Sequence, residues 1–187
     1  MMLTEQDAIL DYAQSVSIRV IAARDLVEVL NDLTEVLVEV VNDCDPLGFM
    51  APIDSDISRD YWISTLPELR SGKRLLFVAM SEGTVVGAAQ LAPSQRGNSP
   101  HRAAIEKVFV TRSARRHGVG TALMNSIESL ALHYRRTLLT LTTRHDDATH
   151  RWYRSLGYND IGVIPGWTIG PHGERYNHVA MYKELHS

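Results

Sequence analysis

The sequence predicts an α/β protein, an α+β mixed sheet with helices on both faces. Three observations carry that expectation. RLLFVAM (74–80) and TVVGAAQLAP (84–93) read as a β-hairpin around Ser81-Glu82-Gly83. Residues 103–143 read as a strand, a helix and a second strand. A short helix and two closing strands follow, so hairpins fill the first half and a β-α-β unit opens the second.

Residues 1–16 form a polar lead-in, and 17–187 a single domain. SIRVIA (17–22) alternates as a strand does. From Asp25, Leu26, Leu30, Leu33, Leu37 and Val40 make a helical stripe between acidic residues. Asn42-Asp43, Asp45-Pro46 and Gly48 stop that helix. PLGFMAPID (46–54) is apolar but broken by two prolines, which predicts a loop lying over a pocket or the core. Asp56–Arg70 is expected to be a second helix with Ile57, Tyr61 and Leu66 inward. After the hairpin, SQRGNSP (94–100) is a polar loop. AAIEKVFV (103–110) is a strand, and Leu123, Ile127, Leu130 and Ala131 mark the next helix. TLLTLTT (137–143) is a strand and Asp146–Leu156 a short helix. Strands at Asp160–Val163 and Tyr176–Leu185 flank a loop, PGWTIGPHGER.

At 187 residues, 44% hydrophobic and 22% charged, the chain has the composition of an ordinary globular domain. A net charge of −3 argues against a nucleic-acid partner. The single cysteine, Cys44, excludes an internal disulfide and fits a cytoplasmic setting. No apolar run reaches membrane-spanning length, so no membrane partner is expected.

The stretch TRSARRHGVG (111–120) stands between strand and helix. A helix starting near Gly118 presents free N–H groups and the positive end of its dipole to whatever precedes it. Arg115, Arg116 and His117 add cationic side chains, and Gly118 and Gly120 admit a bulky anion close to the backbone. Together they read as a main-chain pyrophosphate site, the alternative being a glycine-rich turn that merely connects strand to helix. A P-loop is excluded because Gly120 is followed by Thr121-Ala122, and a dinucleotide fingerprint because position 123 is Leu123.

Arg115-x-x-Gly118-x-Gly120 directly behind Val108-Phe109-Val110 resembles the acetyl-CoA motif of the GNAT N-acetyltransferases. Trp152-Tyr153-Arg154-Ser155-Leu156-Gly157-Tyr158 resembles that family's second signature. The resemblance implies about seven mostly antiparallel strands, with a V-shaped splay between the fourth and fifth. It implies acetyl-CoA as cosubstrate, held by Val108 to Val110, Arg115 to Thr121 (including Val119), Asp146 and Tyr153. Asp146 stands where the family often has asparagine. GFMAPID and IPGWTIGPHGERYNHVAMYKEL are similar to parts of the tabtoxin-resistance acetyltransferases. That subgroup carries an acidic residue where this chain has Thr142.

The reaction so implied is acetyl transfer to the amine of a small amino-acid-like or antibiotic- or toxin-like molecule, by direct attack in a ternary complex. Tyr153 stands at the family's position for meeting the leaving thiolate; its ordinary pKa of about 10 is near a thiol's, about 8.5. A β-bulge near Phe109 or Val110 is implied as the source of an N–H for the oxyanion. Glu106 is the candidate base, with partial burial expected to raise its basicity. Phe49 and Trp167 are candidate walls for the acceptor. His101, His172 and His178 are open to substrate contact or plain exposure. His145 and His150 lack metal-ligand spacing, and no metal is expected. Two other readings remain: acetylation of a protein N-terminus or lysine, and a non-catalytic acetyl-CoA sensor. The family leaves room for a homodimer through the terminal strands.

Overall fold

The computed structural model describes residues 16–43 and 47–186. The lead-in before Val16, Cys44 and the Asp45-Pro46 stop lie outside the described residues. The elements are β1 (Ser17–Ile21), α1 (Leu26–Asn42), α2 (Ser55–Ser64), α3 (Leu66–Arg70), β2 (Leu75–Ser81), β3 (Thr84–Pro93), β4 (Arg102–Val110), α4 (Val119–His133), β5 (Leu138–Arg144), α5 (Ala148–Ser155), β6 (Asn159–Ile169) and β7 (Arg175–Glu184). They build one seven-stranded sheet in the order β1-β2-β3-β4-β5-β7-β6. Every pairing is antiparallel except β4 with β5.

The inner strands are apolar on both faces because helices cover both. Along β2, Phe77 and Ala79 join Leu123, Met124 and Ile127 of α4. Leu76 and Val78 point the other way, to Leu33, Leu37 and Val40 of α1. The β2–β3 turn is Glu82-Gly83, with φ of +49° and +83°. Two positive φ angles give the turn a twist that matches the strands.

Three expectations need correction. The second helix is two helices, because Pro67 cannot donate to the turn before it and the chain restarts at Thr65. On α2 Ser58 and Trp62 are buried and Ile57 is exposed, while Tyr61, and Leu66 on α3, pack partly buried against the α1 core as expected. Ser58 Oγ donates to the Thr34 carbonyl at 3.0 Å and Trp62 Nε1 to that of Leu33 at 3.0 Å, and these bonds turn the helix. Finally, most of PGWTIGPHGER is strand: β6 runs to Ile169 and only residues 170–174 form the loop. β6 is an edge strand whose register shifts between Ile164 and Thr168. An edge tolerates Pro165 there, since its missing N–H breaks no interior ladder.

Candidate active site

β4 and β5 pair only through Arg102–Ala104 against Leu138–Thr140, and then part. The gap opens into a cavity of about 390 Å³. Ile105 to Val108 line it from β4, and Leu141 to Arg144 from β5. Tyr153 and Thr149 close the α5 side, Trp167, Thr168 and His178 the β6–β7 side, and Leu47-Gly48 the loop side.

The β4 bulge lies two residues earlier than expected. Ala88 faces Phe109 and Gln90 faces Glu106, so Ala89 stands opposite both Lys107 and Val108. Lys107 takes φ +52° to accommodate the extra residue. Phe109 and Val110 pair regularly with Ala88 and Gly87. The Phe109 ring turns away from the cavity, into the α1 core, with its centroid 6.3 Å from Trp62.

Glu106 lines the cavity, and its Oε2 accepts from Arg74 at 2.7 Å. Arg74 in turn donates to Glu68 at 2.6 Å and Gln90 at 2.6 Å. The carboxylate is therefore clamped by a guanidinium, not paired with its neighbour Lys107. Lys107 Nζ instead donates to the Leu47 carbonyl at 2.5 Å and sits 5.4 Å and 5.5 Å from the Phe49 and Tyr61 ring centroids. Burial lowers its pKa, with the Arg74 charge acting in the same direction and Glu106 opposing. This lysine ties the loop that forms one cavity wall to the bulge. Phe49 packs edge-on against Tyr61 at 5.2 Å and lines a neighbouring groove, leaving Leu47 and Gly48 as the wall itself.

Tyr153 is 5% exposed, held between Trp152 and Tyr158 at ring distances of 4.7 Å and 5.7 Å. Its hydroxyl has no hydrogen-bond partner among the described residues. Burial pushes the phenol well above its ordinary pKa, and the Asp147 carboxylate adds to that. Tyr153 consequently stays protonated at any working pH, as a donor.

Gly118 caps α4 with φ +80° and has no side chain to accept from the first turn. The N–H groups of Val119, Gly120 and Thr121 precede the first i to i−4 bond, Ala122 N–H to the Gly118 carbonyl at 2.9 Å. Arg116 is exposed beside them and His117 is half-buried. Arg115 turns inward, donating from Nε to the Val110 carbonyl at 3.1 Å and lying 3.6 Å from Asp43. Gly120 has a packing reason as well: a Cβ there would meet the Trp152 indole at 3.1 Å. An uncapped helix start with an exposed arginine beside it fits a diphosphate.

The GNAT acetyltransferase family model matches residues 35–158. The chain belongs to the GNAT acetyltransferase family. It is 31% identical over 149 residues to an uncharacterised N-acetyltransferase from the hisH–hisA intergenic region of Azospirillum brasilense, covering 74% of this chain and 85% of the relative. A ribosomal-protein-alanine N-acetyltransferase from Brucella melitensis has the same fold, with TM-score 0.72 and 23% identity over 90% of this chain and 99% of its own. So does yncA from Salmonella typhimurium, solved with acetyl-CoA, with TM-score 0.72 and 16% identity over 92% and 95%. The protein is an N-acetyltransferase, and GNAT membership makes acetyl-CoA its acyl donor.

Against that family pattern, the loop before α5 divides its work. Asp146 takes φ +61°, its carboxylate lies 3.6 Å from His145, and it does not line the cavity. Asp147 does, while its Oδ1 caps α5 by accepting from His150 N–H at 2.8 Å. Trp167 reaches the cavity; His101 and His172 do not, but His178 does, with its pKa lowered by burial and then by the Arg144 charge. The metal expectation meets one group among the described residues. Ligand atoms of His145, Asp146 and His150 lie within 4.8 Å of one another. Both His150 ring nitrogens are engaged, Nδ1 by Asp146 N–H at 3.2 Å and Nε2 by Asp160 at 3.0 Å, so a cation would have to displace both bonds. Sequence reasoning missed Lys107, Arg144, Asp147 and the Arg74 clamp. Charged residues at a strand end or in a neighbouring element carry no local signature of a pocket. No helix among the described residues is long and apolar enough to cross a membrane.

Proposed function

We propose that this chain, as one catalytic domain over 17–187, moves an acetyl group from acetyl-CoA to the amine of a small molecule. The amine attacks directly in a ternary complex. Acetyl-CoA supplies the activated thioester. The N–H groups of Gly118 to Thr121 hold its diphosphate, with Arg116 adding charge and the arms of β4 and β5 flanking its pantetheine. The bulge at Lys107-Val108 supplies the backbone N–H for the tetrahedral oxyanion. Glu106 draws the proton from the attacking amine, directly or through water, while Arg74 fixes its carboxylate. Tyr153 donates a hydrogen bond to the departing sulfur. With its raised pKa it shares this proton more readily than it surrenders it.

The observation that carries the reading is a buried tyrosine ring whose hydroxyl, without a protein partner among the described residues, lines the cavity where two strands part. A small acceptor is favoured because Leu47-Gly48 and Trp167 wall that cavity from two sides. Mass spectrometry after incubation with acetyl-CoA and a panel of small amines, beside a panel of peptides, tests it. Mass gains of one acetyl group on small amines are expected. Acetylation confined to peptides would refute the acceptor class, and binding of acetyl-CoA with no transfer at all would favour a sensor.

A further inference from the structure

Arg144, at the open end of β5, has a position that the acetyl-transfer chemistry leaves unused. It lines the cavity between β4 and β5 and also the neighbouring groove of about 410 Å³, and Thr168 is shared in the same way. The two spaces therefore meet at this residue. Its guanidinium lies over the Tyr176 ring, 3.9 Å from the centroid, a stacking that fixes the plane of the fork.

The carboxylates that line these spaces are committed elsewhere. Glu106 is bound by Arg74 at 2.7 Å. Asp147 caps α5 through His150 N–H at 2.8 Å. Glu174, in the groove, accepts from the Tyr176 hydroxyl at 2.8 Å and from His172 N–H at 3.0 Å. Among the described residues no carboxylate lies within ion-pair distance of Arg144. A planar guanidinium that is half-buried, stacked and unpaired is a ready bidentate site for a carboxylate. The groove beyond it is walled by Val41, Phe49, Met50, Pro52, Ile169 and Pro171, which suit an apolar chain.

We infer that the acceptor is an amino acid with an apolar side chain, its carboxylate held by Arg144 and its side chain lying in the groove past Thr168. The inference rests on the small-amine reading above and narrows it. Glu106 and Arg144 stand on opposite arms of the V, so an acceptor with both an amine and a carboxylate is oriented by the two at once. Losing one good charge-assisted pair typically costs tenfold or more in specificity.

The test compares L-methionine, L-leucine and L-phenylalanine with their decarboxylated amines, 3-(methylthio)propylamine, isopentylamine and 2-phenylethylamine. Free thiol release and product mass are read with the full chain and acetyl-CoA. Each amino acid is expected to exceed its amine at least tenfold in kcat/KM. Arg144→Gln should collapse that ratio to about twofold by raising KM for the amino acid, and Arg144→Lys should restore part of it. The carboxylate-only probe 3-phenylpropionate should compete with the amino acid in the wild-type protein, which keeps the inference testable should Arg144→Gln fold poorly. Equal turnover of amino acids and amines, an unchanged ratio in Arg144→Gln, or no competition by 3-phenylpropionate overturns the inference and leaves the small-amine reading standing. Acetylation of neither series overturns the inference, and the broader amine and peptide panels then decide the small-amine reading.

Discussion

Replacing Tyr153 by phenylalanine separates catalysis from packing more cleanly than any other change in this protein. The ring is 5% exposed and rests on Trp152 and Tyr158, and phenylalanine keeps all of that contact. The lost hydroxyl has no partner among the described residues, so its removal leaves none of them unsatisfied. Stability should therefore change by less than about 0.5 kcal/mol. In the proposed reaction, the same hydroxyl meets a sulfur acquiring negative charge. A hydrogen bond to a charged group contributes about 1.5–3 kcal/mol, which corresponds to a fall in kcat of roughly 10- to 150-fold. Thiol release gives kcat, titration calorimetry gives CoA affinity, and urea melts give stability. Wild-type turnover with normal CoA binding would refute the donor role. A loss of several kcal/mol in stability would instead show that the hydroxyl is a structural group.

Three further outcomes follow from the geometry. Glu106→Gln should lower kcat/KM by about 10- to 100-fold and flatten the acidic limb of the pH–rate profile, because waters share the deprotonation; an unchanged profile removes the base assignment. Gly120→Val should press on the Trp152 indole, already 3.1 Å from an added Cβ, and cost about 1–3 kcal/mol in chemical denaturation, whereas an unmoved midpoint would show that the indole yields freely. The Tyr61 phenol is pushed up to about 12, chiefly by burial, so the folded state holds that proton more tightly than the unfolded chain at 10.0. Its contribution is complete below pH 10 and is lost as pH rises through about 12, a decline of order 2–3 kcal/mol that Tyr61→Phe should reduce in alkaline urea melts; an identical decline would place its origin elsewhere.

How much of this was legible varies with the kind of signal. The β2–β3 hairpin and the stripes of α1 and α4 could be read because local sequence alone sets them. Tyr153 was picked out by its place in a family signature and Trp167 as an aromatic in need of a partner, and both line the cavity. The extent of β6 was hidden because Pro165, Gly166 and Gly170 read as loop, and only the strand order reveals an edge that tolerates them. Of the inward residues expected there, Ile57 was misplaced, since Ser58 and Trp62 are turned inward by hydrogen bonds to α1, across sequence distances of 24 and 29 residues. The bulge left no glycine to mark it: a lysine takes the positive φ. Glu106, read as a partly buried base, is exposed where it lines the cavity, and its partner Arg74 is 32 residues away in sequence, so the clamp was invisible. Arg144 looked like an ordinary charged residue at the end of a strand until two cavities met at its side chain.

The central claim is that the start of α4 holds a diphosphate and so directs an acetyl thioester into the gap between β4 and β5. Calorimetry with CoA and with pantetheine, which lacks the phosphates, tests it on the wild-type chain and on Arg116→Glu, since Arg116 is exposed and Arg115 is tied to the Val110 carbonyl. The account predicts clear heat for CoA, much weaker binding of pantetheine, and a loss of tenfold or more in CoA affinity on charge reversal. No heat with CoA, or equal affinities for CoA and pantetheine in both proteins, would contradict it.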